Sequence, residues 1–155
     1  MNDERTGRDA NGGQSGFDRA IEAFRQALDQ YVKGDAGPAL ELVSRAEDVT
    51  LANPLGPPTR GPENVRMAAS QAAATLRDGS VLGFEEVARY STADLGYVVQ
   101  LERVQARFVG SDTTMHPITV RVTMIFRREG DTWRVVHRHA DPITTARPIT
   151  TAIES

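Results

Sequence analysis

The apolar residues of this chain change their spacing once, near Gly79, and that change limits the folds open to it. Ahead of it, Phe17, Ile21, Phe24, Leu28 and Tyr31 recur at the interval of an amphipathic helix. From Ser80 onward the spacing becomes alternation, the mark of strands with one buried face. Helices first and strands afterwards predict an α+β fold rather than an alternating parallel one.

Each segment has its own punctuation. Ser15, followed three residues on by Asp18, resembles a capping box, so order is expected to begin at Ser15 and the first helix to end near Gly34. Asp35 can cap a second, short helix carrying Ala39, Leu40, Leu42 and Val43, with Pro38 in its first turn, where a missing amide does no harm. Residues 48–53 read as a strand with Val49, Leu51 and Asn53 on one face. The run Pro54-Leu55-Gly56-Pro57-Pro58-Thr59-Arg60-Gly61 cannot continue a sheet and is expected as a rigid loop. Pro62 opens a third helix whose buried face is Val65, Ala68, Ala69, Ala72 and Leu76. That face is mostly alanine, which suits close packing on a sheet; Gly79 ends the helix.

Four strands follow, over 81–92, 95–109, 115–128 and 132–140. In the second, Tyr97, Val99 and Leu101 share one phase and Val104, Ala106 and Phe108 the other, so a bulge is expected near Glu102 and Arg103. The Glu129-Gly130-Asp131 turn makes a hairpin of the last two. In a tight hairpin Phe126 opposes Trp133, Met124 opposes Val135, Val122 opposes His137 and Val120 opposes His139. His137 and His139 then point toward the helices, and Arg121 and Arg138 share the other face. Opposed arginines need carboxylates, from Glu86, from Glu102 or from a second subunit docked on the sheet; the second subunit is the favoured source.

Composition closes off several classes. The chain has no cysteine, which removes disulfide frameworks, thiolate metal sites and cysteine nucleophiles. Its net charge of −3 lacks the basic footprint of a nucleic-acid binder. No apolar run reaches membrane-span length and the N-terminus lacks a signal-peptide core, so a cytoplasmic chain without membrane partners is expected. Residues 1–14 read as a disordered leader, 15–141 as the domain, and 142–155 as a flexible or extended tail containing a short Pro-Ile-Thr-Thr-Ala repeat.

The order helix, helix, strand, proline-rich loop, helix and four long strands is similar to the nuclear-transport-factor-2-like superfamily, which includes the ketosteroid isomerases and SnoaL-type polyketide cyclases. The resemblance spans 17–142 and rests on Asp48-Val49-Thr50-Leu51-Ala52-Asn53-Pro54-Leu55-Gly56 and Arg121-Val122-Thr123-Met124-Ile125-Phe126-Arg127-Arg128. The ending Trp133-Arg134-Val135-Val136-His137-Arg138-His139-Ala140-Asp141 resembles the last strand of the SnoaL-like branch. It implies three helices on a strongly curved, mainly antiparallel mixed sheet, the cystatin-like cone. It does not carry the isomerase machinery: Asn53 stands where that family has its general base, Ala27 where it has its oxyanion tyrosine, and Met124 where it has its protonated acid.

What remains for a pocket is Asn53, Tyr97, Met124 and Trp133, with His137, His139, Asp141 and Tyr31 as the catalytic candidates and Tyr90 and His116 nearby. One histidine would act as general acid or base, oriented by Asp141 or Tyr31. The plainer reading of the same histidines, and the favoured one, is that they are hydrogen-bonded core residues. The His137-x-His139 spacing permits a metal, but relatives with this ending generally manage without one, so no metal and no cofactor are assigned. Two functions follow: a cofactor-independent isomerase, cyclase or (de)hydratase acting on a small hydrophobic molecule, or a non-catalytic binding or association module. Either is expected as a homodimer joined through the outer sheet face at Arg121 and Arg138.

Overall fold

The structure is a computed structural model that describes residues 15–110 and 113–154. The leader expected over 1–14 lies outside the described residues. Helix α1 (Gly16–Tyr31) starts on the expected capping box: the Ser15 hydroxyl accepts from the Asp18 amide at 3.0 Å and the Asp18 carboxylate accepts from the Ser15 amide. Its stripe of Phe17, Ile21, Phe24, Ala27 and Leu28 is buried. Helix α2 (Gly37–Glu41) is one short turn, and Asp35 supports it by accepting from the Gly37 amide at 2.9 Å. Helix α3 (Pro62–Ala74) begins at its proline and ends before the expected Gly79, because Leu76 already belongs to a strand.

Six strands form one curved sheet: β1 (Thr50–Ala52), β2 (Thr59–Arg60), β3 (Leu76–Ser91), β4 (Leu95–Phe108), β5 (His116–Glu129) and β6 (Thr132–Asp141). Their order is β2-β1-β6-β5-β4-β3, with only β1 and β6 parallel. The proline-rich run is thus a loop only in part. Its Thr59 and Arg60 return to pair with Leu51 and Thr50, which gives β1 an outer neighbour.

The bulges lie elsewhere than expected. Strand β4 pairs with β5 in unbroken register from Leu95 to Ala106, without the bulge predicted near Glu102. Its inward residues are Gly96, Val98, Gln100, Glu102, Val104 and Ala106, and the run Tyr97, Val99 and Leu101 faces out. The irregularities fall in β3 and in the β5–β6 hairpin. There Phe126 pairs with Val135 and Ile125 with His137, so Val136 is an extra, unpaired residue. Such a bulge reverses which residues face inward beyond it.

The turn leaves only Gly130 and Asp131 unpaired, so Trp133 pairs with Arg128 rather than Phe126, and beyond the bulge the reversal corrects the rest of the expected hairpin. Arg138 and Ala140 point inward, opposite Met124 and Val122, while His137 and His139 point outward, opposite Ile125 and Thr123. Arg121 and Arg138 therefore occupy opposite faces and do not oppose each other.

The main core is α1 against the inner sheet face, including Val98, Val122, Met124, Phe126, Val135 and Ala140. Phe17 meets Phe126 edge-on at 5.6 Å and Trp133 at 5.4 Å. The close approach needs a residue without Cβ beneath it: a Cβ on Gly96 would come within 2.6 Å of the Phe17 ring. A second cluster joins Val65, Ala69 and Ala73 of α3 to Val49 and Leu51. The alanines Ala68 and Ala72 do not close on the sheet. Both border open space, and Ala68 also packs against the second cluster.

Candidate functional site

That open space is a cavity of about 820 Å³ between the three helices, β1, the proline-rich loop and the inner sheet face. Phe24, Leu28, Val43, Leu51, Val104 and Val120 give it apolar walls, and Pro54, Leu55 and Pro57 of the proline-rich loop line it as well. Glu102 and Arg138 are its only charged residues among the described residues, and Tyr31 and Asn53 add polar groups. Mostly apolar walls with a few convergent polar groups are the ordinary makeup of a small-molecule site.

The polar end is built by strand phase. Unbroken register in β4 turns Glu102 inward, and the Val136 bulge in β6 turns Arg138 inward to meet it. Arg138 donates from Nη1 to Glu102 Oε2 at 2.9 Å and from Nη2 to Oε1 at 2.6 Å. The side chains are only 14% and 3% exposed, so this is a buried, two-pronged ion pair. The Arg138 guanidinium also lies 5.3 Å over the Phe24 ring. Burial opposes its charge, but the attraction of Glu102 outweighs this and raises the Arg138 pKa.

Behind Glu102 runs a chain of polar groups to the start of α1. Gln100 Nε2 donates to Glu102 at 2.9 Å, and its Oε1 accepts from Arg25 Nε at 3.0 Å and Nη2 at 2.7 Å. Arg25 bonds Glu86 at 2.9 Å, Glu86 bonds Arg89, and Arg89 reaches Asp18 of the capping box at 2.7 Å. Hydrogen bonds from Arg89, then from Arg25, hold the Glu86 carboxyl down at about 2 despite some burial.

Tyr31 lines the cavity from the last turn of α1. Burial pushes its phenol pKa up; Arg138 opposes that shift and Glu102 adds to it. No hydrogen bond joins the Tyr31 hydroxyl to another described residue.

The expected site residues are thus divided among three places. Tyr31 and Asn53 line the cavity. Met124 and Trp133 are packed in the core, with the Met124 sulfur accepting from Arg138 at 3.5 Å. Tyr97, His137, His139 and Asp141 belong to the outer face. There Thr50 Oγ1 and His137 Nδ1 lie 2.7 Å apart, His139 Nε2 lies 3.2 Å from Asp141, and Arg121 donates to Asp141 at 2.7 Å. Burial, then His139, lowers the His137 pKa. Burial alone would raise Asp141; Arg121 brings it below its ordinary value. No group of three or more His, Asp or Glu among the described residues is placed to hold a metal ion.

Arg138 and Arg121, expected as an outer interface pair, each have a carboxylate within the chain. Glu102 is one of the carboxylates expected to serve them, but it lies beside the cavity. Gln100, buried behind it, carries no expectation from the sequence. Both share the phase of Gly96, Val98, Val104 and Ala106, but apolar residues on the opposite face of β4 leave that phase ambiguous in the sequence.

Residues 18–144 match the model of the SnoaL-like domain family. A candidate dehydratase of the NTF2-like family from Streptomyces avermitilis superposes with a TM-score of 0.70 at 21% identity, covering 84% of this chain and 96% of that one. A ketosteroid isomerase-like protein from Erwinia carotovora atroseptica gives a TM-score of 0.70 at 14% identity, covering 87% and 99%. A candidate calcium/calmodulin-dependent protein kinase type II association domain from Thiobacillus denitrificans gives 0.64 at 23% identity, covering 79% and 91%. A search of curated proteins returned no match. At these identities the structural likenesses establish an NTF2-like fold alone, and the family match supplies the rest: the chain belongs to the SnoaL-like domain family.

Proposed function

We propose that this chain takes up a small, largely apolar molecule in the cavity and acts on it without a cofactor, as an isomerase, cyclase or (de)hydratase. The observation that carries this reading is the meeting of Tyr31, Glu102 and Arg138 in a cavity walled mostly by apolar groups. A neutral phenol beside a buried ion pair can donate to a carbonyl or hydroxyl as charge develops on its oxygen. Names of relatives such as dehydratase and ketosteroid isomerase-like fit chemistry of this class. The histidines, turned to the other face, are replaced in this reading by Tyr31 and the ion pair. Thermal-shift screening of small hydrophobic ketones, alcohols and acids is the test. A ligand that raises the melting temperature of the wild type, and raises it less in Tyr31→Phe, supports the reading. A screen in which no class of compound shifts the melt sinks it.

A second reading is a homodimer that pairs through the outer sheet face, with the cavity serving binding alone. It is favoured by exposed Leu95 and Tyr97 beside the half-buried Val99, Leu101 and Ile125 on that face. Arg121, at the edge of this patch, is already paired with Asp141 and would contribute as part of that pair. Light scattering should give twice the monomer mass, and Val99→Glu should halve it. A wild type that stays monomeric removes this reading.

A further inference from the structure

The two charges at the cavity are committed to each other, and this decides what kind of polar group a ligand can bring there. Both terminal nitrogens of Arg138 are engaged by Glu102, and the guanidinium lies against Phe24. Glu102 is in turn held from behind by Gln100. The pair is nearly out of solvent, and the other charged groups of the network lie beyond Gln100, away from the cavity lining. A ligand carboxylate arriving here would place an uncompensated negative charge beside Glu102, with both terminal nitrogens of Arg138 already engaged. A neutral carbonyl or hydroxyl of the same shape loses far less on leaving water and can accept a hydrogen bond from the unpartnered Tyr31 phenol.

We infer that Glu102, by occupying Arg138, makes the cavity selective for neutral oxygen-bearing molecules over carboxylic acids of the same size. The inference rests on the small-molecule reading above and names its substrate class: apolar ketones, amides or alcohols. Glu102 is the specificity-determining residue. Without its charge, Arg138 becomes a free cation in an apolar cavity, which is an anion site.

Isothermal titration with naphthalene-2-carboxamide and naphthalene-2-carboxylate at neutral pH separates the two, since these probes match in shape and differ in charge. The wild type should bind the amide at least about tenfold more tightly than the carboxylate. Glu102→Gln, which keeps an acceptor for Arg138, should reverse that order. The double variant Glu102→Gln with Arg138→Gln has no charge in the cavity lining and should prefer the amide again. It also reports if the single variant fails to fold. A wild type that binds the carboxylate as tightly as the amide overturns the selectivity and leaves the pocket standing. An unchanged preference in a folded Glu102→Gln does the same. Binding of neither probe to any of the three proteins overturns the pocket reading and the inference with it.

Discussion

Glu102 and Arg138 sit on strands separated by β5, yet they meet through two hydrogen bonds of 2.6 and 2.9 Å in a largely buried position. The contact exists because Val136 adds one residue to β6 ahead of Arg138. Without that residue the histidines would face the cavity and the arginine would face out.

A buried pair of this kind costs more to break than to replace. Glu102→Ala leaves Arg138 charged and unpartnered, and the loss should be about 3–5 kcal/mol by urea denaturation. Glu102→Leu combined with Arg138→Met should cost less than either single change, because no buried charge is left behind. Additive losses in that cycle would show that the two residues do not depend on each other.

The polar chain behind Glu102 makes stability sensitive to acid. Arg89 and Arg25 hold the Glu86 carboxyl at about 2, against 4.5 as its ordinary value. A depressed carboxyl contributes stability that is present above 4.5 and lost as pH falls through its folded value. Stability of the wild type should therefore fall from 4.5 down to about 2, and Glu86→Gln should flatten part of that fall. Asp18, also lowered with Arg89 beside it, adds in the same direction. Equal acid profiles in wild type and variant would contradict this.

On the outer face His137 works in the same sense at higher pH. Burial, then His139, holds it below the ordinary 6.5. The unfolded chain therefore takes up a proton first, and stability present above 6.5 declines as pH falls through the folded value. An NMR titration should place the His137 imidazole below 6.5, and His137→Gln should remove the corresponding decline. A titration at or above 6.5 would refute the assignment.

Gly96 is a steric requirement of the α1–sheet packing. Gly96→Ala would put a Cβ within 2.6 Å of the Phe17 ring, and overpacking of this sort costs about 1–3 kcal/mol. The double change Gly96→Ala with Phe17→Leu should recover part of the loss. Equal stability of Gly96→Ala and wild type by urea denaturation would show that the ring moves aside freely.

How far the sequence could be read follows from how unambiguous each local pattern was. The α1 stripe and the Ser15–Asp18 box leave one solution, and both form as expected. So do the β1 phase and the helix start at Pro62. The phase of β6 was open, because adjacent Val135 and Val136 allow either to face the core and no glycine marks the bulge. In β4 apolar residues occupy both faces, so alternation alone cannot choose between Tyr97 and Val98 as the inward residue. Both ambiguities fall on the strands that build the polar end of the cavity. The fold was legible, and the chemistry of the site was inverted by a single residue.

The most direct test of the account compares the two faces of β6. Isothermal titration with naphthalene-2-carboxamide should show binding to Tyr31→Phe weakened about tenfold relative to the wild type, while the double variant His137→Gln with His139→Gln binds within about twofold. Loss of binding in the histidine variant, with Tyr31→Phe unaffected, would contradict it.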